Sequence, residues 1–137
     1  MAQVSRPSSF QCRLDLASGV PVYRQIIDQI LGAIASGALR GGDQLPTVRQ
    51  LAVDLSVNPN TVVRAYRELE IRGVLTTQQG TGTFVTREQV KPDEAERQRQ
   101  LTQLVGEFMA RAGAAGFSGR DLLERLQEFL SDQRRMT

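Results

Sequence analysis

A mainly α fold carrying one small β-hairpin is predicted by three observations. Apolar residues recur at helical spacing from Tyr23 to Ile34. Two short amphipathic segments between Thr47 and Gly73 are separated by the turn Leu55-Ser56-Val57-Asn58. The pattern then changes after Gly73 to two β-branched or aromatic runs around a glycine-rich turn.

The elements follow in chain order. Met1 to Ser9 is polar, contains proline and lacks periodicity, and residues 1–13 are expected to form a flexible leader. Leu14-Asp15-Leu16 alternates, as a short strand or extended arm would. After the Gly19-Val20-Pro21 break, Tyr23, Ile26, Ile27, Ile30, Leu31 and Ile34 follow the i, i+3, i+4, i+7 rhythm of an amphipathic helix. Gly37 is its expected C-cap, and Gly41-Gly42-Asp43 makes a turn.

The next helix opens at Thr47, which with Gln50 resembles a capping box, and buries Val48, Leu51, Ala52 and Leu55, leaving Arg49 outward. Asn58 is a good N-cap and Pro59 suits the first helical position, where the missing N–H costs nothing, so a further helix starts there. At about 100° per residue, Val62, Ala65, Tyr66 and Leu69 gather on one side and Asn60, Arg64 and Arg67 almost opposite. Val74-Leu75-Thr76-Thr77 and Thr83-Phe84-Val85-Thr86 are expected to pair across Gln78-Gln79-Gly80-Thr81-Gly82. Helix, helix-turn-helix and hairpin, in that order, make a winged helix-turn-helix domain over residues 14–86.

A charged stretch, residues 87–99, reads as a linker running into a helix after Pro92. Over residues 100–137, Leu101, Leu104, Val105, Phe108, Met109 and Ala112 mark an apolar stripe that ends at Gly113-Ala114-Ala115-Gly116. Ser118 with Asp121 resembles a capping box, Phe117 and Leu122 sit at hydrophobic-staple positions, and Leu123, Leu126, Phe129 and Leu130 continue the stripe. Two helices with so short a break form an antiparallel hairpin. It cannot bury both stripes alone, so dimerisation with the same hairpin of a second chain is expected.

Composition narrows the function. The apolar fraction of 40% supports a modest core, and no run approaches the roughly 20 apolar residues of a membrane span, so a cytoplasmic address is expected. Cys12 is the single cysteine and histidine is absent, which excludes an internal disulfide, a zinc-finger site and histidine-based catalysis; no cofactor is expected and an enzyme is not. Net charge is only +2, yet sixteen of the seventeen basic residues are arginine, the side chain that pairs bidentately with guanine edges and phosphates. A biased genome composition would give the same preference.

The run from Pro21 to Val85 resembles the winged-helix domain of GntR-family bacterial transcription regulators. The matching motifs are LPTVRQLA from Leu45 to Ala52, NPNTV from Asn58 to Val62, and GTGTFV from Gly80 to Val85. The two-helix tail resembles the YtrA subfamily. The resemblance implies DNA contacts by Arg49, Asn60, Thr61 and Arg64, with Gly82 bringing the wing close to the backbone. Asn58, Arg67 and Thr81 complete the expected DNA-binding set. Three departures shape that expectation: Val63 stands where many relatives have arginine, Gly41-Gly42 replaces a frequent Pro-Gly and should loosen the approach to the second helix, and the wing tip is uncharged. The expected function is a homodimeric, sequence-specific regulator of transcription, a repressor, on a two-fold symmetric operator of double-stranded DNA. The alternative is a protein-interaction module that uses the helical hairpin without binding DNA. Phe108, Met109, Phe117 and Phe129 have two readings, the lining of a small-molecule effector cavity at the dimer interface and, more plainly, ordinary core.

Overall fold

Pro21 stands at the N-cap of the first helix, α1 (Val22–Ser36), and Gly37 ends it in the left-handed conformation, φ 87°, with its N–H on the Ile34 carbonyl. The computed structural model describes residues 10–87 and 93–135, with side-chain burial through Asp132. The expectation for residues 1–9 and for the linker residues 88–92 therefore falls outside the described residues. The chain divides between Gln89 and Val90 into two compact units.

In the first unit, α2 (Val48–Leu55) opens on a complete capping box. The Thr47 side chain accepts from the Gln50 N–H and the Gln50 side chain accepts from the Thr47 N–H, each at 3.1 Å. Ser56 closes the helix in the left-handed region at φ 55°, so the chain reverses within a few residues into α3 (Pro59–Ile71). The Asn58 side chain accepts from the Asn60 N–H at 2.8 Å, with Pro59 in the first turn. Ile26, Ile27, Ile30, Leu39, Leu51, Val62, Ala65, Leu69, Leu75 and Val85 form one core, to which α1, α2, α3 and the hairpin all contribute. The Tyr66 hydroxyl donates to the Pro46 carbonyl at 2.7 Å; burial first, then the neighbouring Cys12, holds its phenol well above the ordinary range.

The hairpin consists of β1 (Leu75–Gln78) and β2 (Gly82–Val85), antiparallel with Leu75 opposite Val85 and Gln78 opposite Gly82. The strands sit one residue further toward the tip than the sequence pattern indicates, leaving a three-residue loop with Gly80 at φ 76°. The ladder also runs past both strands: the Thr86 N–H donates to the Val74 carbonyl at 2.9 Å. Residues 43–45 lie along the other edge of β2, with Val85 N–H on the Asp43 carbonyl and Leu45 N–H on the Thr83 carbonyl. The Gly41-Gly42 turn that precedes them is tied down rather than loose. Gly42 donates to the Val85 carbonyl at 2.8 Å, and a Cβ on it would collide with the Arg87 guanidinium.

The folded unit begins earlier in the chain than expected. Phe10 and Cys12 pack against the core, so residues 10–13 belong to the folded unit and not to a flexible leader. Residues 10–15 are extended without joining a sheet, and side-chain amides take the place of a neighbouring strand. The Gln29 carboxamide accepts from the Arg13 N–H and donates to the Arg13 carbonyl, and Gln25 does the same at Asp15. Two glutamines one turn apart on α1 thus serve residues two apart on the arm, because alternate residues of an extended chain present their backbone groups to the same edge. Burial pushes the Cys12 thiol up to about 11, which keeps it neutral and unreactive near pH 7.

The second unit holds α4 (Glu94–Ala114) and α5 (Gly119–Arg135). Asp93 caps the start of α4, and the Ser118–Asp121 pair is reciprocal: Ser118 N–H donates to the Asp121 carboxylate at 2.8 Å and Asp121 N–H to the Ser118 hydroxyl at 3.1 Å. The Ser118 backbone bond, then its hydroxyl, holds the Asp121 carboxyl below its ordinary value.

Replacing both Gln25 and Gln29 by alanine should release the arm. Hydrogen exchange at the Arg13 and Asp15 amides is expected to speed up while that of Leu69 is retained. Urea unfolding should register about 0.5–1.5 kcal/mol lost per glutamine, toward the low end because both sites are exposed.

Candidate nucleic-acid interface

Val62, Ala65 and Leu69 have no exposed surface and Tyr66 is 3% exposed, so α3 presents a single polar face to solvent. Asn60, Arg64 and Arg67 are all exposed on it, and Thr61 on its flank is half-buried. Arg49, in the first turn of α2, is also exposed. Arg49 and Arg67 make no ion pair or hydrogen bond with other described residues, so their donors remain available. The acidic residues of α3 are occupied elsewhere: Glu68 pairs with Arg72 at 3.6 Å, and Glu70 accepts from the Thr77 hydroxyl on β1. Neither carboxylate neutralises the arginines of the polar face.

Arg64 is placed differently from its neighbours. Its guanidinium lies over the ring of Tyr23, with the central carbon 3.7 Å from the ring centroid, so α1 as well as α3 determines where it sits. The helical periodicity of α3 carries no trace of this contact. Asn58, expected to meet DNA, has its side-chain oxygen engaged in the helix cap.

At the wing, Thr81 is exposed and its carbonyl accepts from the Gln44 side chain at 3.1 Å. Gly82 is half-buried, with φ 135°. A Cβ there would stand 2.6 Å from Gln44 Nε2 and displace that side chain, and the positive φ by itself favours glycine at this position. Gln44 is the residue that sequence reasoning missed at this site: it bridges to Phe84 outside the two named strands, and nothing local marks it as the support of a turn far along the chain.

In the second unit, the expected dimerisation residues remain largely uncovered. Leu101, Leu104, Val105, Phe108, Met109, Phe117, Leu123, Leu126, Phe129 and Leu130 are between 45% and 62% exposed, and Leu122 is half-buried. Ala112 is buried, and Met109 lies close to Gly119 near the turn between the helices. A shallow groove on α5 is lined by Glu124, Gln127, Glu128, Ser131 and Asp132, and includes none of Phe108, Met109, Phe117 and Phe129. Among the described residues no group of His, Cys, Asp or Glu is arranged to hold a metal, and no helix is long and apolar enough to cross a membrane.

Residues 22–85 match the family model described as bacterial regulatory proteins, gntR family. The chain is 36% identical over 112 residues to the HTH-type transcriptional regulator YhcF of Bacillus subtilis (strain 168), covering 82% of this chain and 92% of that protein. It is 35% identical over 121 residues to the HTH-type transcriptional repressor YtrA of the same organism, covering 88% and 92%. Among solved structures, a transcriptional antiterminator from Listeria monocytogenes EGD-e superposes with a TM-score of 0.66 at 27% identity, covering 92% of this chain and 94% of that one.

Gly82→Ala should therefore act without DNA. The strained backbone and the displaced Gln44 are expected to cost about 1–3 kcal/mol in chemical unfolding of the protein alone. A variant as stable as the wild type but defective on DNA would assign the glycine to the DNA approach instead.

Proposed function

The chain belongs to the GntR family of bacterial regulatory proteins, and from that membership we propose that it acts as a homodimeric repressor on a two-fold symmetric operator. It is a transcriptional regulator with a GntR-type DNA-binding domain, and its relatives are regulators rather than enzymes. The observation that carries the finer reading is the polar face of α3. One side of the helix, Val62, Ala65, Tyr66 and Leu69, is committed to the core, and the face opposite offers Asn60, Arg64 and Arg67 without a carboxylate to neutralise them.

In this reading the N-terminal part of α3 enters the major groove. Arg64 and Arg67 donate to guanine edges or phosphates, Asn60 faces a base edge, and Arg49 fixes the register from the start of α2. Thr61 and Thr81 add hydroxyl contacts, and the uncharged wing releases few counterions. The salt dependence then rests on Arg49, Arg64 and Arg67 of the two chains, each neutralised phosphate contributing roughly −0.9 to the logarithmic slope.

Dimerisation is supported by the uncovered apolar stripes of α4 and α5. Burying them against the same hairpin of a second chain would remove large aromatic and aliphatic side chains from water, and a two-fold axis would set the recognition helices on half-sites about 34–36 Å apart. Repression then follows from occupancy of the operator, and the repressor YtrA among the relatives supports that direction.

Fluorescence anisotropy tests this reading, with a duplex selected from a random pool by the wild-type chain and a scrambled control. Arg64→Ala is expected to weaken binding to the selected duplex by about 1–3 kcal/mol and to reduce its preference over the control. Failure of a folded dimer to select any duplex from the pool would overturn the proposal in favour of a protein partner. Phe108→Glu with Leu126→Glu is expected to give monomers in sedimentation equilibrium and to weaken operator binding with the DNA-binding unit still folded.

A further inference from the structure

We propose that Tyr23 is a positioning residue for sequence readout: its ring holds Arg64 in the setting from which the guanidinium edge meets the DNA. A residue of α1, outside the helix-turn-helix, would then contribute to specificity. The proposal rests on the reading above, in which α3 enters the groove.

The geometry follows from the two ways a guanidinium interacts. Its flat face is attracted to the electron-rich face of an aromatic ring, whereas its N–H donors lie in the plane and point outward from the edge. A carboxylate partner would consume those donors. A ring 3.7 Å from the central carbon leaves them available for the O6 and N7 acceptors of guanine. Arg64 has no carboxylate partner among the described residues. Its restraint is therefore of the kind that orients an arginine without neutralising it.

The ring is itself fixed. Tyr23 is half-buried in the first turn of α1 and packs against the core, with Ile26 and Ile27 just beyond it at 0% and 1% exposure. Moving the ring would require moving α1 from the core it shares with α3. The Tyr23 hydroxyl makes no hydrogen bond with other described residues, so the ring alone is sufficient. Arg67 and Arg49 have no comparable support. Of the three arginines, Arg64 alone has a contact among the described residues to restrain it before DNA arrives, which lowers the entropy lost on binding and favours one direction for its donors.

A double-mutant cycle on the full chain tests this, using the selected and scrambled duplexes. Tyr23→Leu keeps apolar bulk and removes the aromatic face; it is expected to lose about two- to fivefold in affinity for the selected duplex, with little change on the scrambled one. Tyr23→Phe should bind as the wild type does. Combined with Arg64→Ala, Tyr23→Leu should add no further loss. Thermal unfolding checks that each variant folds, and Tyr23→Met replaces Tyr23→Leu if the latter does not. Three outcomes would overturn the proposal: wild-type affinity in Tyr23→Leu when Arg64→Ala is impaired, an equal loss from Tyr23→Leu in the Arg64→Ala background, or a loss in Tyr23→Phe matching that in Tyr23→Leu. Wild-type binding by Arg64→Ala would instead remove Arg64 as a reader, and with it the need for a positioning residue.

Discussion

The rotational setting of α3 is the constraint on which the rest of the structure depends. Val62, Ala65, Tyr66 and Leu69 form one apolar face with almost no exposed surface. A turn of the helix by a single residue position, about 100°, would take that face out of the core and force an arginine or glutamate into it. The Tyr66 hydroxyl on the Pro46 carbonyl adds a directional tie, fixing the helix to the chain entering α2. Everything that faces outward on α3 is placed by what faces inward.

Around this helix, glutamine carboxamides complete hydrogen bonding that regular secondary structure leaves open. Gln44 supports the wing loop through the Thr81 carbonyl, while Gln25 and Gln29 bind the extended N-terminal arm. A carboxamide carries a donor and an acceptor on a flexible stem and reproduces the pairing of a peptide group. The sheet stays at two strands, and the arm and wing are nevertheless tied to helices and loops by the same chemistry that joins strands.

Local chemistry was legible in the sequence. Thr47 with Gln50, Asn58 with Pro59, and Ser118 with Asp121 declare helix starts within four residues, and each cap is present in the structure. The spacing from Tyr23 to Ile34 likewise identified the face of α1 that is buried. Pairings between distant segments were not legible. No periodicity couples Tyr23 to Arg64, Gln44 to Thr81, or Gln29 to Arg13, because such contacts arise only when separate elements are brought together. This is why the sequence alone extends the leader to residue 13, places Tyr23 only in an apolar stripe, and gives no sign that Gln44 stands against Gly82. The uncovered faces of α4 and α5 were visible in the pattern because amphipathicity is a property of one helix by itself.

The arm also has a reading frame. Arg13 and Asp15 present their backbone groups to the glutamines of α1, and Cys12 and Leu14 alternate with them, packed toward the core. An extended chain repeats every two residues, so deleting one residue between Phe10 and Arg13 would leave the glutamine ties intact while turning Phe10 from the inward to the outward side. Deleting two would restore the alternation. Parity, more than composition, is thus the property that this stretch has to keep as its length changes.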